Sequence, residues 1–264
     1  MDKLDYKLFF KQIMFRYIFT GKVLPERVDF SLTPHQIEAI TNTGQKFKIS
    51  ISIQKSQIFL EVNSENVIDD IFTLRNTIVD FVRQYTDIFG YLHGYAYDLE
   101  ITSLIFPDNE HLIFGVSITE IEKDAVNRPI QDLQKIFEME QDPDNLALRL
   151  ALMDLNLSIK YPKDTGVFCY RAIESIMQFF NKGNPEDVDA RKKAWTALSE
   201  NLRISKPWTD FVKDFALNPR HGSPKLLTGE DRINIMMHSW QVVDRFLIFL
   251  TNGRKQLDSS YPQL

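Results

Sequence analysis

The residues with chemistry to offer lie in the C-terminal half of the chain. In Asn218-Pro219-Arg220-His221-Gly222-Ser223-Pro224 a guanidinium stands beside an imidazole, prolines restrict the backbone on both sides, and Gly222 permits a sharp bend. Such a loop could pair Arg220 with a phosphate or carboxylate and let His221 exchange a proton near neutral pH. In the architectural alternative, Arg220 bonds Glu174 or helix-end carbonyls and His221 closes the loop. A second pair is Arg232 and His238. Six helical positions set their side chains about 120° apart around the axis and about 9 Å along it. They converge only across a groove, at a kink or against a second subunit; otherwise His238 packs beside Trp240. Arg171 and Glu174, one turn apart, could pair with each other or orient the Arg220 loop.

Signatures of other chemistries are missing: there is no phosphate-binding loop, GxGxxG turn, HExxH or GxSxG elbow. The single cysteine, Cys169, excludes an intramolecular disulfide and a cysteine metal cluster, and its apolar helical setting marks it as a core residue. His93 and His111 fall in different strand-rich segments without a carboxylate at fixed spacing, so neither a metal nor a cofactor is expected. Tyr91, Tyr95 and Tyr97 pack against a helix or form a ligand surface.

These residues need a scaffold, and 264 residues that are 44% hydrophobic can supply one. With 31 Lys and Arg against 36 Asp and Glu, the formal net charge is -5. That removes broad electrostatic capture of nucleic acid as a function but allows a local basic site. The opening MDKLDYKLFF has no signal-peptide pattern, and no window offers the roughly 18 to 20 apolar residues that a bilayer span requires. A cytoplasmic protein with no membrane association is expected.

Periodicity predicts an α+β fold in two domains. Residues 1–125 read as a strand-rich domain. A first strand over 12–20 ends at Gly21, and a short extended piece runs from Val28 to Leu32. Alternating Phe47, Ile49, Ile51 and Ile53 form a hairpin with Ile58, Leu60 and Val62. One long helix spans Asn66 to Thr86, capped by Ser64 or Asn66, and two strands follow around Tyr95–Thr102 and Leu112–Ile118. The sheet, mixed or antiparallel, has five or six strands. Polar residues between Glu120 and Pro129 mark the boundary. Residues 126–264 read as an antiparallel helical bundle with helices over 130–140, 144–159, 165–180, 187–201, 208–215 and 229–250, the last capped by Thr228 and Asp231.

Phe168-Cys169-Tyr170-Arg171-Ala172-Ile173-Glu174-Ser175-Ile176, then Arg220-His221-Gly222, then Trp240-Gln241-Val242-Val243-Asp244-Arg245-Phe246 resemble the HEPN-type helical domains of bacterial abortive-infection and toxin proteins, over about residues 130–250. The resemblance implies a homodimer. In active members it implies metal-independent RNA cleavage by an Arg followed four to six residues later by a His. Arg232 and His238 match that spacing, with Ile233 where the family often has a polar residue; alternatively, Arg220-His221-Gly222 is a compressed form of the motif. The His would take the proton from an RNA 2′-hydroxyl and the Arg would stabilise charge on the phosphate. Many relatives are inactive. The expected function is therefore a non-catalytic interaction or sensing protein in phage defence with an RNA or protein partner, and the alternative is a ribonuclease acting through these Arg and His residues, with Arg171 and Glu174 in support.

Overall fold

A computed structural model describes residues 14–40, 46–115, 118–184, 186–220 and 227–264, with backbone alone at 39–40 and 218–220. The fold is α+β, in two compact units that divide between Val116 and Ser117. The polar stretch 120–129, read from sequence as the boundary, lies in the second unit. Its one buried apolar residue, Ile121, joins the helical core.

The first unit is an antiparallel six-stranded sheet in the order β2-β3-β4-β1-β5-β6, with β1 at Phe15–Leu24, β2 at Leu32–Ile40, β3 at Lys46–Gln54, β4 at Gln57–Ser64, β5 at Asp98–Ile105 and β6 at His111–Ile113. Strict alternation in β3 and β4 buries Phe47, Ile49, Ile51, Ile53, Ile58, Leu60 and Val62 on one face, where they share a core with Tyr17, Phe19 and Val23 of β1. Helix α1, Ile71–His93, lays Leu74, Ile78 and Val82 into that core. Each such fully buried side chain contributes about 1.5–3 kcal/mol.

The strand β1 continues through Gly21 instead of ending there. Its register slips between Thr20 and Gly21, and a Cβ at Gly21 would lie 2.2 Å from the Glu100 carbonyl oxygen, so glycine serves close strand approach, not a turn. The helix α1 starts and ends later than its periodicity predicts. Asp70 is the residue that caps it, accepting from the Thr73 N–H at 2.9 Å, and Gly94, with φ of 68°, closes it. Tyr97 packs on Phe30 with ring centroids 5.3 Å apart, whereas Tyr91 and Tyr95 stand exposed.

The second unit consists of α2 (Thr119–Lys123), α3 (Leu133–Gln141), α4 (Leu146–Lys160), α5 (Thr165–Phe179), α6 (Val188–Leu202), α7 (Lys206–Arg220) and α8 (Gly229–Thr251). At its centre is α5, whose Cys169, Ala172, Ile173, Ile176 and Met177 are fully buried. Gly166 lets α5 approach α7, since a Cβ there would lie 2.6 Å from the Phe215 carbonyl oxygen. The Thr228–Asp231 capping box at the start of α8 is formed in both directions. One expectation is corrected: Asn218, Pro219 and Arg220 form the last turn of α7, not a loop. Pro219 has no N–H to bond the carbonyl four residues back, and α7 ends one residue after it.

Candidate functional site

The two Arg-His pairs fare differently. The Arg220 side chain and all of His221 lie outside the described residues. Arg232 and His238 are described, and they face different neighbours, as their angular separation on one helix requires.

Arg232 is only 6% exposed. Its Nε donates to Thr165 Oγ1 at 2.9 Å, and its Nη2 donates to the Ser158 carbonyl at 3.1 Å and to that of Ile159. These carbonyls belong to the last turn of α4, where no intrahelical donor remains. Thr165 Oγ1 in turn donates to the carbonyls of Ser158 and Pro162, each at 3.0 Å. Arg232 is thus a cation set against the negative end of α4, and its donors are spent on architecture.

His238 is clamped between the rings of Trp208 and Phe211, at centroid distances of 4.0 and 4.4 Å, not beside Trp240 as expected from sequence. Its Nδ1 lies 2.8 Å from the Asn234 carbonyl. A carbonyl only accepts, so Nδ1 carries the proton. Burial lowers the pKa of the ring below its ordinary 6.5, with the Asn234 bond opposing. The unfolded chain therefore binds the proton more readily than the folded one. As pH falls through about 6.5 and on towards the lower folded pKa, stability declines. The effect is small because the ring is half-exposed. Urea midpoints at about pH 7.5 and 5.5 are expected to differ more for wild type than for His238→Gln; equal differences would show that the ring is not a source of pH sensitivity.

Burial pushes the Cys169 thiol up to about 11, which leaves it protonated and inert. Among the described residues, no three of His, Cys, Asp and Glu are grouped to hold a metal ion. His93 ends α1 and His111 begins β6.

Arg171 and Glu174 do not pair with each other. The Nε of Arg171 lies 2.9 Å from both carboxylate oxygens of Asp154 on α4, and its Nη2 also donates to Asp154 Oδ1. Asp154 is 1% exposed and Arg171 is 44% exposed, so a buried anion holds an accessible cation in place. The arginine also lies over the Phe168 ring, 5.0 Å from its centroid. Glu174 meets Arg191 of α6 at 3.5 Å.

Both residues line an open-sided groove of about 990 Å³ formed by α4, α5, α6 and the end of α8. Its apolar lining includes Leu146, Ala147, Leu150, Phe179, Phe180 and Phe249; its charged lining includes Arg171, Lys182, Arg191 and Arg254 with Asp144 and Glu174. Arg254 bonds Asp142 and Asn145 at 3.2 Å and stands over Phe179, 5.5 Å from the ring centroid. The three arginines are thus all matched by carboxylates. The groove alternates charge and does not form a uniform basic track of the kind that follows a nucleic-acid backbone.

Residues 17–114 match the family model of the N-terminal domain of a domain of unknown function (DUF8168), and residues 133–251 match that of its C-terminal domain. The chain carries both DUF8168 domains. No curated protein and no solved structure matches the chain. In DUF8168 terms the groove is built almost wholly by the C-terminal domain, with Arg254 just beyond its matched end. Sequence reasoning found Arg171 and Glu174 but missed Asp154, Lys182, Arg191, Arg254 and the phenylalanines. Their spacings along the chain are long and irregular, and Phe179-Phe180 reads simply as the end of a core helix.

Proposed function

We propose that this DUF8168 chain is a non-catalytic binding protein whose helical domain, HEPN-like in its sequence pattern, holds an amphipathic segment of a protein partner in the groove. On that resemblance its setting is phage defence. The observation that carries the reading is the lining of the groove, in which an apolar surface contributed by Leu146, Leu150, Phe179 and Phe249 lies beside fixed, alternating charges. Such a surface suits a helix or strand with one apolar face and charged edges. Supporting it, Arg232 is committed to helix-end carbonyls and His238 to an aromatic clamp.

The test is selection from a random-peptide display library on the wild-type chain, followed by affinity measurement on Ser175→Trp, which fills the groove from α5. Selected peptides are expected to be amphipathic and to bind the variant at least roughly tenfold more weakly. Peptides that bind the variant equally well, or a selection that yields none, would overturn the reading. In parallel, single-stranded RNA incubated without divalent metal is expected to remain intact with wild type, His221→Ala and His238→Ala; cleavage lost in either variant would instead establish the ribonuclease.

A further inference from the structure

The helix α4 carries an apolar seam that faces away from its own core. Leu146, Leu150, Met153 and Leu157 follow one another at four, three and four residues, the spacing by which one helix packs along another. Leu146 is 52% exposed, Leu150 37% and Met153 49%, with Leu157 half-buried. Ala147, Leu148, Ala151 and Leu155 point the other way and are buried in the helical core. Nearby, α3 has no buried residue, and its Leu133 and Phe137, one turn apart, add to the exposed apolar surface. Isolated exposed leucines need no explanation, but a four-residue seam in register does.

The charges at the two ends of the seam indicate what covers it. Before its N-terminal end stand Glu140, Asp142 and Asp144, with Arg254 against the two aspartates. At its C-terminal end are exposed Lys160 and Lys163, with Asp164 beside them. A helix of this length spans about 22 Å. A face acidic at one end, basic at the other and apolar between is complementary to a copy of itself turned end for end.

We propose that the seam of α4 packs antiparallel against the same seam of a second copy of this chain, about a two-fold axis between Leu150 and Met153. Leu150 then meets the partner's Met153, Leu146 meets the partner's Leu157, and Lys160 and Lys163 reach the partner's Asp144 and Glu140. A parallel pair would set lysine on lysine and carboxylate on carboxylate. Leu146 and Leu150 also line the groove, so the second copy closes that side of it. These two leucines are shared between seam and groove, so a groove ligand meets the second copy at that edge, and sedimentation without ligand reads the contact by itself.

Sedimentation of the full chain at micromolar concentration tests this. Wild type is expected at twice the chain mass. Met153→Asp, at an exposed position with the helical circular dichroism unchanged, weakens the dimer by roughly thirtyfold or more. Two further variants separate charge matching from loss of fold. Lys160→Glu with Lys163→Glu puts carboxylates at all four of the opposed positions 140, 144, 160 and 163, and Glu140→Lys with Asp144→Lys puts lysines at all four. Each alone is expected as a monomer, and an equimolar mixture re-forms a dimer because every opposed pair is then of opposite sign. A monomeric wild type, a Met153→Asp dimer of unchanged affinity, or a mixture that stays monomeric would overturn the proposal.

Discussion

Arg232→Ala is expected to lower the stability of the helical unit by about 3–4 kcal/mol. Urea unfolding followed by tryptophan fluorescence reads this directly, because Trp195, Trp208 and Trp240 all lie in the second unit. The side chain supplies N–H groups to the Ser158 and Ile159 carbonyls and to Thr165 Oγ1. Truncation leaves these acceptors buried with fewer donors, and each such loss costs about 1–3 kcal/mol. Ser158 retains the Thr165 hydroxyl, which keeps the sum below the maximum. Arg232→Lys keeps the charge but cannot reproduce the planar fork, so it is expected to recover less than half of the loss. Against a typical domain stability of about 5–15 kcal/mol, the alanine variant is severely weakened. A residue kept for chemistry would behave otherwise: a loss below about 1 kcal/mol would mean that Arg232 is not the cap of α4.

Legibility from sequence followed the range of the interactions involved. The strands β3 and β4 announce themselves because each alternates without interruption and a two-residue turn joins them. The start of α8 was legible because its cap is local, Thr228 against Asp231. The strand β2 was not, because Leu32-Thr33-Pro34-His35-Gln36 breaks the alternation and β2 is an edge strand, whose outer side needs no ladder and tolerates proline. The helix α1 runs on past Thr86 and through Gly90, where a Cβ would lie 2.8 Å from the Tyr95 carbonyl oxygen. The site followed the same rule. Helical arithmetic already separated Arg232 from His238, but nothing local shows that Trp208 and Phe211, on another helix, receive the imidazole. Asp154 was invisible as a partner of Arg171 because it sits in NLALRLALMDLNLSIK, whose leucines and alanines read as a mostly buried helix in which one aspartate carries no signal.

That aspartate gives the other large effect. Arg171→Met strands a carboxylate that is 1% exposed, and breaking a buried pair from one side costs about 3–5 kcal/mol because the remaining charge has lost its compensation. Adding Asp154→Leu removes the stranded charge, and the double variant is expected to regain most of the lost stability, giving a coupling energy of about 2–3 kcal/mol in the cycle. If the single and double variants unfold at the same urea concentration, the pair is not the unit that the geometry describes. The cycle also separates stability from binding. Arg171 enters the groove already oriented by Asp154 and by the Phe168 ring, so a ligand carboxylate would pay little entropy to meet it. The double variant keeps the fold and loses that cation. Groove-selected peptides that carry an acidic residue should therefore bind it several-fold more weakly than wild type, while peptides without one bind both alike. Equal affinity for acidic peptides would assign Arg171 to holding α4 against α5 alone.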